Sequence, residues 1–281
     1  MTAVGVRARG LLVATHAGPA AVVTLLALSL SVGIGSGVGT ATLVTLAVLA
    51  GQVSVGWSND WLDAGRDRAV GRTDKPSVAG AVTPDLLRTC AVAALAVCVV
   101  LSFATGWVAG SLHVLAVAGA WSYNAWFKST VLSWLPYAVS FGLLAAFVVA
   151  APQDGRVVAW WAVLGAALLG VGAHVANVLP DLEDDRATGV RGFPHRLGRR
   201  GASVAAPALL VAASLVVVLG PERVPGTVTV VCGVLALALA VAAGVVGATR
   251  PRSRAPFALS MGVAALCVVQ LVAAAPYVAV A

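Results

Sequence analysis

The chain has 281 residues, of which 60% are hydrophobic and only 10% charged, and its mean hydropathy is +0.96. Soluble domains carry about 25% charged residues and about 45–50% apolar ones, so the composition excludes an ordinary soluble domain and marks a polytopic membrane protein. The net charge of +7 resides in connections between apolar stretches, and Cys90, Cys98, Cys232 and Cys267 all lie within those stretches without a CxxC pair; the first argues for membrane topology over a nucleic-acid partner, the second against a disulfide framework or zinc site.

A helix needs roughly 20 apolar residues to cross a bilayer. Nine stretches approach that length, near 11–32, 39–61, 85–104, 107–126, 131–151, 157–179, 203–220, 225–247 and 256–279. The chain is therefore expected to be an all-α bundle of nine transmembrane helices, forming one domain over 1–281. Arg7 and Arg9 precede the first stretch as in a signal peptide. That stretch contains His16 and Pro19 and lacks a small-residue cleavage site, so it reads as an uncleaved first helix with His16 inside it.

Basic residues orient the bundle. Arg7 and Arg9, then Arg66, Arg68, Arg72, Lys75 and Arg88, then Lys128, then Arg186, Arg191, Arg196, Arg199 and Arg200, and last Arg250, Arg252 and Arg254 all fall on one side. Only Arg156 and Arg223 fall on the other. Positive charge is retained on the cytoplasmic face, which places the N-terminus inside and the C-terminus outside.

Eight of the eleven acidic residues form two clusters on that same side: Asp60, Asp63, Asp67 and Asp74, and then Asp181, Glu183, Asp184 and Asp185. Charge at a membrane boundary is costly and marks ion or substrate sites. Asp60, Asp63 and Asp67 are spaced i, i+3, i+7, and Asn177, Asp181 and Asp185 i, i+4, i+8; on a helix each set shares one face. Like charges this close repel unless a cation lies between them, and Mg²⁺ takes carboxylate, water and phosphate oxygens. Asp60, Asp63, Asp67, Asp181 and Asp185 are thus the candidate metal ligands, with Asn59 and Asn177 contacting the ligand or orienting the nearby Asp. Pro180 removes a backbone donor and should open the second helix locally. Glu183 and Asp184 read as surface charge, and His195 as a loop residue without a role. His16 and His174, polar within apolar stretches, are candidates to line a cavity.

These motifs resemble those of the UbiA superfamily of intramembrane prenyltransferases, written NDxxDxxxD and DxxxD. Here they stand as Asn59-Asp60-Trp61-Leu62-Asp63-Ala64-Gly65-Arg66-Asp67 and Asp181-Leu182-Glu183-Asp184-Asp185, after the second and sixth apolar stretches. Arg72-Thr73-Asp74-Lys75-Pro76 resembles the RTxxRP-like string of that family, with Lys where Arg is usual, which keeps the charge and loses the bidentate fork. Tyr123 and Lys128 resemble its Tyr–Lys element after the fourth helix.

The resemblance implies a Mg²⁺-dependent enzyme of the cell membrane that opens to the cytoplasm. A prenyl diphosphate is the implied donor and a small aromatic or lipid-like molecule the implied acceptor. Arg66, Arg72, Lys75 and Lys128 would neutralise the leaving diphosphate. A terpene cyclase on the same scaffold would use the same motifs without an acceptor. A cation-coupled transporter is disfavoured because its acids lie near the midplane, and a phosphatidyl-type alcohol transferase because Asp63-Ala64-Gly65-Arg66 does not reproduce the DGxxAR signature.

Overall fold

The computed structural model describes residues 3–250 and 253–281, so Arg252 lies outside the described residues. A helix stands at each apolar stretch. In chain order they are α1 (Ala3–Ala14), α2 (Ala17–Gly33), α3 (Val38–Ala69), α4 (Pro84–Ala104), α5 (Trp107–Ala125), α6 (Leu135–Ala150), α7 (Trp160–Val178), the short α8 (Leu182–Ala187), α9 (Phe193–Leu219), α10 (Thr227–Thr249) and α11 (Ala255–Ala273). The all-α expectation holds apart from a two-residue antiparallel ribbon, β1 (Val157–Val158) with β2 (Ala279–Val280). Among the described helices, α3, α4, α7, α9, α10 and α11 are long and apolar enough to cross a bilayer, and the bent pair α1–α2 adds a seventh; α6 has only 16 residues.

Neighbouring helices pack as antiparallel pairs, with α3 against α4, α5 against α6, α7 against α9, and α10 against α11. Leu26, Leu30, Val44, Val48, Phe147, Trp161, Val217 and Leu271 form the largest buried cluster. Large side chains such as Val100, Leu115, Leu164, Leu219 and Leu237 remain on the outside, where lipid rather than water is the matching solvent. Polar side chains tie helices internally: Asn124 donates to the Val55 carbonyl at 3.0 Å and to Ser58 Oγ at 2.9 Å, and Ser140 donates to the Ala116 carbonyl at 2.7 Å. Trp57 and Trp121 donate inward, to the Leu11 carbonyl and to Ser54 Oγ.

Two breaks set the acidic end of the bundle. The first stretch is not one helix: α1 and α2 meet at 59°, and His16 between them has a left-handed φ of 52°. That conformation is uncommon for a side-chain-bearing residue. The break lies directly on α3, where a Cβ at Gly56 would come within 2.6 Å of the Thr15 carbonyl oxygen. His16 is therefore at a break rather than inside a helix, and Gly56 lies one helical turn before Asp60. The second break follows α7, at Leu179–Asp181, where Pro180 denies the helix a donor as the sequence predicts. The expected continuous stripe Asn177–Asp181–Asp185 is consequently split between α7 and α8.

The first stretch of α4 is encoded locally. Thr83 caps it by accepting from the Leu86 N–H at 3.2 Å, Pro84 occupies the first position and Asp85 the first turn, a start favoured by capping, by the fixed proline φ and by the helix dipole.

Candidate active site

The helix α3 has 32 residues, a length of roughly 48 Å at 1.5 Å per residue. The hydrocarbon core is about 30 Å thick, so its last turns extend past the apolar layer, and there the first acidic motif sits. Asp60, Asp63 and Asp67 are all buried on one face, at 0%, 6% and 4% exposure, as their spacing requires. Each of the first two is met by cations. Asp60 Oδ1 accepts from Lys75 Nζ at 2.8 Å and faces His16 Nε2 at 2.9 Å. Asp63 accepts from Arg66 at 2.8 Å and from Lys128, which reaches it from the turn after α5. Asn59 Nδ2 lies 3.3 Å from Asp60 Oδ1. Asp60 Oδ2 and Asp67 Oδ2 are buried without a partner.

The second motif faces the first. Arg72, in the connection after α3, donates twice to Asp74 at 3.0 Å and stands 3.8 Å from Asp181. Those hydrogen bonds raise the Arg72 pKa further and lower that of Asp74. A cleft of about 200 Å³ lies between the motifs, lined by Arg66, Asp67, Arg72, Asp184, Asp185 and Thr188 among others. Asp184 is exposed, as its reading as surface charge expects, and also borders the cleft; Glu183 is a surface residue, paired with Arg199. Asp181 is half-exposed just before α8, and Asp185 lies one turn on. Asn177 is exposed and makes no side-chain hydrogen bond to either motif, so it alone of the candidate residues is not drawn into the site.

Behind the motifs lies an aromatic group. The ring of His174 stacks on Tyr137 at 4.5 Å and meets Tyr123 edge-on at 5.3 Å, and the two tyrosines meet at 4.9 Å. His174 is 1% exposed and its Nε2 lies 3.0 Å from Ser133 Oγ. Tyr137 and Ser133 carried no signal in the sequence, because each is one polar group in an apolar stretch until the fold brings α5, α6 and α7 together. His195 is likewise buried, at 3% exposure, against Asp185.

Among the described residues no three His, Cys, Asp or Glu side chains converge closely enough to enclose a metal ion by themselves. The arrangement is instead a cleft whose carboxylates are balanced by cations, with two buried carboxylate oxygens left over. Such a set can exchange its internal ion pairs for a metal and a polyanionic ligand.

No curated protein matches the chain. Among solved structures, a UbiA homolog from Aeropyrum pernix K1 in its apo form superposes with a TM-score of 0.71 at 22% identity, covering 87% of this chain and 94% of that one. A UbiA homolog from Archaeoglobus fulgidus bound to GPP and Mg²⁺ gives 0.69 at 18% identity, covering 96% of this chain and 100% of that one. A digeranylgeranylglyceryl phosphate synthase gives 0.68 at 16%, covering 96% and 99%. At these identities the likeness is one of fold. The model of the UbiA prenyltransferase family matches residues 20–273, which takes in both acidic motifs and the cations that meet them: this chain belongs to the UbiA prenyltransferase family.

Proposed function

We propose that the protein transfers an isoprenyl group from a prenyl diphosphate to a small aromatic or lipid-like acceptor within the membrane, with Mg²⁺ as cofactor. The observation that carries this reading is a cleft between the two acidic motifs lined by Arg66, Asp67, Arg72 and Asp185, with Lys75 and Lys128 paired to Asp60 and Asp63 on the same face of α3. In this reading the whole of 1–281 is one domain of nine crossings in the cell membrane, with the N-terminus and the cleft on the cytoplasmic side.

The donor set fits Mg²⁺. All the groups are hard oxygens, and Asp60 Oδ2 and Asp67 Oδ2 are buried and unpartnered, a costly state that a cation would relieve. Mg²⁺ is commonly held by one or two carboxylates completed by substrate phosphates, which suits a site with no three-ligand cage. Asp60, Asp63 and Asp67 would hold it from one side, Asp181 and Asp185 from the other. When bound, Mg²⁺ supplies positive charge to the diphosphate oxygens as the C–O bond breaks.

The chain's own residues do the rest. Lys75 and Lys128 exchange their carboxylate partners for diphosphate oxygens, and Arg66 and Arg72 hold the leaving group from the cleft wall. Asn59, next to Asp60, helps fix that carboxylate. Tyr123, in the aromatic group behind the acidic motifs, is the residue whose ring would stabilise a cationic carbon. The acceptor then attacks that carbon, and loss of its proton completes the transfer.

Purified protein with Mg²⁺ and labelled prenyl diphosphates of several lengths tests this reading, with and without an acceptor panel. Asp63→Ala and Asp181→Ala are expected to abolish Mg²⁺-dependent diphosphate release while still inserting; full activity in either removes the metal assignment. A cyclic hydrocarbon formed from donor alone replaces the transferase with a terpene cyclase.

A further inference from the structure

His195 is buried at the first turn of α9, and its Nε2 lies 3.3 Å from Asp185 Oδ2. A carboxylate only accepts, so Nε2–H is the donor. Its carbonyl in turn accepts from the Arg186 guanidinium. Asp185 itself belongs to a six-residue helix between two breaks, a segment with little backbone constraint of its own.

The turn that carries His195 is fixed by the connection between α5 and α6. Ser133 Oγ accepts from the Phe193 N–H at 2.9 Å. A Cβ at Gly192 would come within 2.6 Å of the Lys128 carbonyl oxygen and 2.8 Å of Ser133 Oγ. Lys128 is the residue that reaches Asp63. One path of close contacts thus runs from Asp63 through Lys128, Gly192 and His195 to Asp185.

We propose that His195 is a positioning residue: it holds one oxygen of Asp185, turns the other toward the cleft, and registers the second acidic motif against the first. The role rests on the metal-dependent reading above. Residues that orient ligands commonly change metal affinity by about 10–100-fold when removed.

The test uses full-length protein and Mn²⁺ with inorganic diphosphate, read by electron paramagnetic resonance, alongside the Mg²⁺ dependence of diphosphate release. His195→Leu is expected to weaken Mn²⁺ binding about 10–100-fold and to raise the Mg²⁺ requirement, with kcat at saturating Mg²⁺ little changed. His195→Gln, whose amide nitrogen can occupy the place of Nε2, is expected to recover most of the loss. Should His195→Leu fail to fold, the comparison is His195→Gln against His195→Asn, whose shorter amide falls short of Asp185. Equal Mn²⁺ affinity in wild type and His195→Leu, or no difference between Gln and the non-reaching variant, overturns the role while leaving the transferase reading intact. Wild-type protein that binds no Mn²⁺ with diphosphate overturns the metal reading and this role together.

Discussion

Lys128 is a lone cation in the turn after α5, and its value lies in reaching Asp63 from another element, 65 residues away in sequence. Removing it leaves a buried carboxylate with one cation fewer and takes one donor from the leaving group. Lys128→Met is expected to lower kcat on the order of 10²-fold, and Lys128→Arg to retain part of the activity; steady-state kinetics of diphosphate release measure both. The position of Lys128 beside the acidic motif was legible from a lone charge near Tyr123 in a recognisable element. That of His195 was not, because nothing near it in sequence says that its turn is buried. Its burial follows from the packing of Gly192 and Phe193 against Lys128 and Ser133, some 60 residues distant. Asp184 is exposed as surface charge should be, but its place at the cleft rim beside Asp185 was not legible, because the break at Leu179–Asp181 resets the helical phase.

At the scale of elements, hydropathy and length placed a helix at each of the nine apolar stretches, since an apolar run of that length has few alternatives in a bilayer, but not the split of the first into α1 and α2 nor the short α8. The breaks were harder. Pro180 announces its own, through its missing donor. The bend at His16 is set by close packing against Gly56 of α3, and a helix apolar on all sides offers no periodicity from which to read such a contact. Gly56→Val is therefore expected to push the bend off α3, costing about 1–3 kcal/mol as overpacking does and separating His16 from Asp60. Melting in detergent reads the first effect. The second is read by a drop in diphosphate release that His16→Ala reproduces without the loss of melting temperature.

Over the whole molecule, among the described residues, the ion pairs that bridge elements gather at the acidic end. At the far end Arg156 donates to Asp154 at 2.8 Å and to the Ile34 carbonyl at 2.9 Å. The hydrogen bond from Arg156 lowers the Asp154 pKa below its ordinary 3.8. The contribution of this pair is thus complete above the ordinary value and is lost as pH falls through the lowered one. Melting curves of wild type and Asp154→Asn are expected to differ slightly at neutral pH and to merge in acid; a difference that persists in acid assigns it to packing instead. The orientation belongs to this scale too. Single cysteines placed at 70–83 and at 188–191, in a background lacking the four native ones, are expected to react with impermeant reagent only from the cytoplasmic side.

The small ribbon at the far end has a consequence of its own. Val157 and Val158 pair with Val280 and Ala279, and the Ala159 N–H donates to the Val278 carbonyl at 2.8 Å. These are backbone links, indifferent to ionic strength, and they stitch the last residues of the chain to the connection between α6 and α7. The opposite end is fastened by charge, which salt screens. The bundle is thus fastened by backbone hydrogen bonds at one end and by screenable ion pairs at the other. Hydrogen exchange at rising salt should quicken around 70–83 and 181–192 while the amides near 157 and 280 stay slow.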